Sequence, residues 1–102
     1  MIYVLATSEL NDGCREKFLE ILKANVPNVI AEKGCVMYVP CVDFPSGLSA
    51  QKVVRENVVT ILEGWESLDH LMAHLKTAHM ADFRAKVAGM RKSSTLNVVT
   101  PA

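Results

Sequence analysis

Three histidines, one tryptophan and a few polar side chains are the parts of this chain that could do chemistry. His70, His74 and His79 fall close together. Histidine is the side chain whose ordinary pKa best suits proton transfer near neutral pH. His79 stands between Leu75 and Phe83 at helical spacing, which points it at whatever that helix packs on. It is either a core histidine, hydrogen-bonded to backbone or to Glu63, or a base in a pocket. His74 lies on the flank of the same stripe, as a helix-end residue satisfying carbonyls or a partner chain, or as a second base. His70, one turn earlier, reads as a solvated surface residue. The His70/His74 pair has a spacing that metals use, but no carboxylate or thiol stands at matching spacing, so no metal is expected. Trp65 shares a strand face with Glu63 and Ile61, and either packs a core or lines a pocket for an aromatic molecule. Glu63 is a partner for a histidine or a buried hydrogen-bonded acid. Tyr38 is placed to hydrogen-bond a substrate oxygen or to reach a sheet edge.

These residues need elements to position them. Residues 2–8 alternate as a strand, with Tyr3, Leu5 and Thr7 on one face and Ile2, Val4 and Ala6 on the other. Asn11-Asp12-Gly13 is a turn, and Asp12 is placed to cap a helix over about 13–31. Cys14, Phe18, Leu22, Asn25 and Val29 share that helix's inner face. Pro27 inside it predicts a kink or two short helices, and Gly34 reads as its C-cap. Residues 35–43 form a second strand, with Cys35, Met37, Val39 and Cys41 facing one way and Tyr38 the other. Pro40 marks this strand as an edge or as bulged.

A loop runs from Phe44 to about Lys52. Residues 53–65 then read as one long strand, whose alternation puts Arg55, Asn57, Val59, Ile61, Glu63 and Trp65 on a single face. Ser67 caps the next helix, with Asp69 in its first turn, and Thr77 is placed to cap a further segment. Leu68, Leu71, Met72, Leu75, His79, Phe83, Val87 and Met90 make the apolar stripe of this region. Ser93-Ser94 ends it, and residues 95–100 form a last strand.

The order β-α-β-β-α-β predicts an α+β, ferredoxin-like fold with an antiparallel four-stranded sheet. The strands are apolar on both faces, yet the helices of one chain cover only one. A second copy is the simplest cover for the other, so a two-fold homodimer packed sheet to sheet is expected. The 102 residues suit a single domain over 1–102. A chain of this size buries about 65% of its unfolded surface and needs neither disulfide nor metal for a core. Eleven basic residues balance eleven acidic ones. That excludes a strongly cationic nucleic-acid binder, although not a local patch. No basic residue precedes the short N-terminal apolar run, unlike a signal peptide. No apolar stretch approaches the roughly 20 residues of a membrane helix, so a soluble cytoplasmic protein is expected. Cys14, Cys35 and Cys41 have no CxxC spacing and read as free thiols acting as small hydrophobes. Cys35 and Cys41 would share a strand face roughly 20 Å apart, too far to bridge.

Two stretches carry a family resemblance. Glu32-Lys33-Gly34-Cys35-Val36-Met37-Tyr38 is followed by Glu63-Gly64-Trp65-Glu66-Ser67, and then by His74 and His79 at the two histidine positions of the pattern. Together they resemble the antibiotic biosynthesis monooxygenase family of the dimeric α/β-barrel superfamily. Ala78 stands where that pattern usually has proline, which predicts a softer break before the last helix. The loop with Gln51, Arg55, Glu56 and Asn57 resembles the quinol-monooxygenase-like branch. Haem-degrading relatives use an Asn on the first strand, where this chain has Ala6, Thr7 and Ser8, and this argues against haem.

The resemblance implies a monooxygenase that uses molecular oxygen on a quinol-like or polycyclic phenolic molecule, without metal or other cofactor. Such chemistry needs a base to make the phenolate, a closed apolar pocket and donors for the developing anion. His79 or His74 would be the base. Trp65 and Phe83 would line the pocket, with Glu63 beside a histidine, and Asn57, Tyr38 or Arg55 would steady the anion. In this fold the Arg55 loop often meets the partner chain, so a dimer salt bridge is Arg55's plainer role. Two other readings share the fold: a non-catalytic binding or stress-response dimer, and an isomerase of a small phosphorylated sugar that would use Arg55 with Lys52.

Overall fold

Seven elements follow one another along the chain: β1 (Ile2–Leu10), α1 (Arg15–Ile30), β2 (Cys35–Cys41), β3 (Val58–Trp65), α2 (Leu68–Leu75), α3 (Ala78–Val87) and β4 (Arg91–Val99). The structure is a computed structural model and describes residues 1–51 and 53–102. The strands form one antiparallel sheet in the order β2-β3-β1-β4. This is the ferredoxin-like α+β arrangement, with its second helix region split into α2 and α3.

One sheet face is covered. Val4 and Leu10 of β1, with Val59, Ile61 and Trp65 of β3, meet Phe18, Leu22 and Val29 of α1 and Leu71, Met80, Phe83 and Val87 of α2 and α3. Each such fully buried side chain contributes about 1.5–3 kcal/mol of transfer free energy. The other face has no helix over it, and Leu5, Val39 and Leu62 are exposed there. No helix among the described residues is long and apolar enough to cross a membrane.

Several expected boundaries shift, each for a local reason. The N-cap of α1 is Cys14, without a side-chain hydrogen bond. Asp12 does not cap, because its carboxylate accepts from Asn57 Nδ2 at 2.7 Å. Pro27 does not split α1, which runs unbroken through it. It lies in the last turn, and the carbonyl its missing N–H would have served belongs to exposed Lys23. Gly34 is not the C-cap either; Ala31 is. Gly34 instead takes φ +83° in the turn before β2, where its Cα faces the His70 ring so closely that a Cβ would collide with it.

β3 starts at Val58, five residues later than alternation predicted, after a turn at Glu56-Asn57. Arg55 spends its backbone N–H on Asp43 Oδ2 (2.9 Å), not on a neighbouring strand. The last strand begins at Arg91, so Ser93 and Ser94 lie within it and α3 ends at Val87. The apolar stripe is interrupted too. Ser67 and Thr77 each cap their own helix, accepting from the N–H of His70 and Met80. The break between the helices resets the phase, leaving Leu68, Met72 and Leu75 exposed while Leu71 and His74 are buried.

Two bulges decide which side chains face the helices. Cys35 pairs with Trp65 but Met37 with Gly64, so Val36 is the extra residue. Directly paired residues share a face, so Cys35 and Tyr38 both join Trp65 and Glu63 on the helix side, and Cys35 does not share a face with Cys41. A second shift lies between Glu9 and Leu10 of β1, where Leu10 pairs with Arg91 and Glu9 with Ser93. Lys92 is the extra residue there. All three cysteines are free and half-buried.

Candidate active site

A cavity of about 190 Å³ opens between the helix-covered sheet face and α2 and α3. Phe18, Ile61, Met80 and Phe83 give it apolar walls, while Tyr38, Glu63 and His74 bring polar groups to it. It is smaller than the roughly 300–1,000 Å³ of drug-sized sites, so it suits a small molecule.

His74 is 1% exposed, and its Nδ1 stands 2.7 Å from Glu32 Oε2. A carboxylate only accepts, so Nδ1 carries the proton and the neutral ring keeps its lone pair on Nε2. The ring is held from two further sides: Trp65 lies at 4.7 Å between centroids, tilted by 35°, and Tyr38 meets it edge-on at 5.7 Å. Glu32 belongs to the turn between α1 and β2. That turn is tied down by Cys35 N–H to Glu32 O (3.2 Å), by Glu66 N–H to Gly34 O (2.9 Å) and by His70 packed on Gly34. His70 is itself hydrogen-bonded to Ser67 Oγ at 2.7 Å, so it is a half-buried packing residue and not a solvated one.

Glu63 is 5% exposed and accepts from Trp65 Nε1 at 2.9 Å. Burial pushes its carboxyl pKa up, against the pull of the Trp65 hydrogen bond and of His74, while nearby Glu32 pushes the same way as burial. Tyr38 is buried, and its phenol is pushed well above its ordinary value, first by burial and then by Glu63 and Glu32. It therefore stays protonated at any working pH and is available as a donor.

The two histidines exchange the places expected of them. His79 is 25% exposed and lines a separate groove of about 130 Å³ between α1 and α3, not the main cavity. Its Nδ1 faces Asn25 Nδ2 at 3.1 Å. Its Nε2 is 3.3 Å from the same Glu32 oxygen but lacks hydrogen-bond geometry. The helix break at Lys76-Thr77 is the cause, since a continuous helix would have put His79 on the inner face and His74 on the flank. Trp65 stands behind His74 and supports its ring instead of lining the cavity, whereas Phe83 does line it.

Arg55 and Asn57 are not at the cavity. Arg55 grips Asp43 through Nε (2.8 Å) and Nη2 (3.0 Å), and Asn57 holds Asp12. Both were placed by extending the β3 alternation through residues that form a turn. The phosphate site imagined for a sugar isomerase thereby has its Arg55 engaged, and Lys52 lies outside the described residues. Among the described residues, no group of three His, Cys, Asp or Glu side chains is arranged to hold a metal ion.

Sequence reasoning gave no role to Glu32, Asn25, Arg84 or Arg91. Glu32 was within reach: it opens the first motif stretch, and that stretch had to lie near the histidines if the two acted together. Helical spacing put Asn25 on the inner face of α1 without giving it a role, and nothing in local spacing marked Arg84 or Arg91.

The ferredoxin-like sheet, with a carboxylate-held histidine facing an apolar cavity, defines a class of small α+β proteins with a site between sheet and helices. The sequence profile of the antibiotic biosynthesis monooxygenase family matches residues 1–86, and the chain belongs to that family. It is 37% identical over 103 residues to YgiN of Escherichia coli (strain K12), named a probable quinol monooxygenase, with 99% of this chain and 98% of that protein covered. Among solved structures, PA3566 from Pseudomonas aeruginosa matches with a TM-score of 0.81 at 20% identity, covering 99% of this chain and 93% of that one. Rv0793 from Mycobacterium tuberculosis matches with a TM-score of 0.81 at 20% identity, over 99% and 94%. At that identity these structures establish the fold alone.

Proposed function

We propose that the protein is a cofactor-independent monooxygenase acting on a small quinol-like or phenolic molecule, with His74 as its base. The observation that carries this reading is the Glu32–His74 pair, in which the buried His74 lines a cavity where Phe18, Ile61, Met80 and Phe83 offer apolar walls and Tyr38 a donor, and no described residue bonds its Nε2. Membership of the family and the likeness to YgiN support the reaction class.

The chemistry follows from the parts. His74 Nε2 takes the hydroxyl proton of the bound quinol, and the Glu32 carboxylate stabilises the imidazolium that results. Tyr38, kept protonated by its burial, donates to the developing ring oxyanion. The electron-rich anion passes one electron to molecular oxygen, and the radical pair joins at a ring carbon as a hydroperoxide. Loss of water from that hydroperoxide leaves a carbonyl. In sum, a hydroquinone and one oxygen molecule give a hydroxyquinone and one water, so the quinol supplies all the electrons. The apolar walls keep water from the intermediates.

A homodimer through the uncovered sheet face belongs to this reading. Leu5, Val39 and Leu62 lie exposed on that face, and a second copy would bury them.

The test is oxygen consumption with 1,4-naphthohydroquinone, using isotopically labelled oxygen and subtracting autoxidation. Enzyme-dependent uptake with one labelled atom in the quinone product and one in water is expected. Unlabelled product, or uptake that persists unchanged in His74→Ala, would overturn the assignment.

A further inference from the structure

Lining the same cavity as His74 stand two arginines with no acid paired to them among the described residues. Arg91 is the first residue of β4, and the bulge at Lys92 is what brings it inside: it pairs with Leu10, whose side chain is fully buried, so both point to the helix side. Without the extra residue, Lys92 would oppose Leu10 and Arg91 would face the uncovered side of the sheet. The Arg91 guanidinium carbon lies 5.9 Å from the centres of both the Phe18 and the Phe83 ring. Arg84, one turn along α3 from Met80, lines the same cavity and donates from Nη2 to Leu75 O at 2.9 Å. Among the described residues, no carboxylate forms an ion pair with either arginine. Glu63, the acid of the cavity, is engaged by Trp65.

A half-buried guanidinium beside a second cation and without a counter-charge is costly. The costs of burial and of Arg84 both fall on its charged form. The fold has placed that cost in the cavity that His74 also lines. A planar guanidinium matches a carboxylate with two parallel hydrogen bonds, and among the described residues no side-chain hydrogen bond occupies the donors of Arg91.

We propose that Arg91, assisted by Arg84, is an anion subsite, and that the ligand of this cavity is a hydroxyarene bearing a carboxylate. The carboxylate lies on Arg91, the ring lies against the cavity faces of Phe18 and Phe83, which pack on each other edge to face, and the hydroxyl reaches His74 and Tyr38. This rests on the reading of the cavity as a phenol site and adds the acidic group to its substrate class.

The experiment is calorimetric binding to the full chain of 6-hydroxy-2-naphthoate and of 2-naphthol, a pair that differs by the carboxylate alone, with hydroxyl and carboxylate too far apart to bond each other. A charge-assisted contact of about 1.5–3 kcal/mol makes the naphthoate bind roughly tenfold tighter or more at low salt. In Arg91→Gln that advantage, read as the ratio of the two affinities in the same variant, is expected to drop to within about threefold. Arg91→Lys, which keeps charge without the fork, should retain part of it. Equal affinities in the unmodified protein, or an advantage that survives in Arg91→Gln, would overturn the subsite while leaving the phenol cavity standing. Failure to bind either ligand would overturn both. Should Arg91→Gln not fold, Arg84→Gln and a salt titration decide: a naphthoate advantage indifferent to both is incompatible with the proposal. Ribose 5-phosphate is the last arm, and its binding tighter than the naphthoate would refute the aromatic part.

Discussion

Two short acid–base contacts in this molecule look alike on paper and differ in everything else. Glu32 meets His74 at 2.7 Å, and Asp43 meets Arg55 at 2.8 Å. The first is buried under α2 beside Trp65 and Tyr38, at a cavity. The second lies in the long loop between β2 and β3, with Arg55 about half exposed (52%). An exposed pair gains little because water screens it and two side chains must be ordered to make it. A buried pair is costly to break, since the group left behind has no partner. Distance alone therefore says little about consequence, and burial decides which contact can set a proton's position for chemistry.

The largest expected effect comes from removing the buried base. His74→Ala should lower kcat/KM for oxygen consumption by about 100- to 10,000-fold, whereas Arg55→Ala should leave it within about twofold. Equal losses in the two variants would erase the contrast.

Next comes the turn that carries Glu32. Gly34→Ala forces a side chain into the φ +83° conformation and against the His70 ring. It should cost about 1–3 kcal/mol in chemical denaturation and move Glu32 off His74. A variant as stable as the parent would show that the turn does not constrain the pair.

Trp65→Phe keeps a ring behind His74 but leaves Glu63 without its donor. A loss of about 1–3 kcal/mol is expected by the same measurement, and most of it should be recovered when Glu63→Gln is added.

A pH effect is smaller and has a definite sign. Burial raises the pKa of Glu63 above its ordinary value of 4.5, so the folded state holds this proton more tightly than the unfolded chain does. Its favourable contribution is complete below 4.5 and is lost as pH rises through the folded value. Glu63→Gln should therefore flatten that fall in the urea midpoint relative to the parent. Asp43 runs the other way: hydrogen bonds from Arg55 hold it down to about 2, so its contribution is present above 3.8 and lost as pH falls through about 2. Asp43→Asn should move the midpoint at neutral pH no more than an ordinary surface substitution does, and a large drop would mean that the loop pair has a structural role after all.

How much of this was legible beforehand can be read from individual residues. The order of elements, the caps at Ser67 and Thr77, and the inner face of α1 through Phe18, Leu22 and Val29 all follow from local periodicity and capping chemistry, which act within a few residues. The motif residues Tyr38, Glu63, Trp65 and His74 were named as a group and do meet around one site. Alternation carried backwards through a turn puts Arg55 and Asn57 at the cavity, and they lie away from it. One helical stripe drawn across two helices puts His79 there too, and it lies in the α1–α3 groove and not in the cavity.

Residue pattern alone specifies a ferredoxin-like βαββαβ chain, with a motif that puts histidine, tryptophan and carboxylates on facing elements. Tertiary structure alone decided which histidine is buried, that Glu32 holds it, and that Arg91 faces the cavity. Those outcomes depend on one extra residue at Val36, another at Lys92 and a helix break at Lys76-Thr77. A one-residue slip in a strand reverses a side chain's face, and a break in a helix resets its angular phase, so local pattern cannot reveal the result until the elements pack.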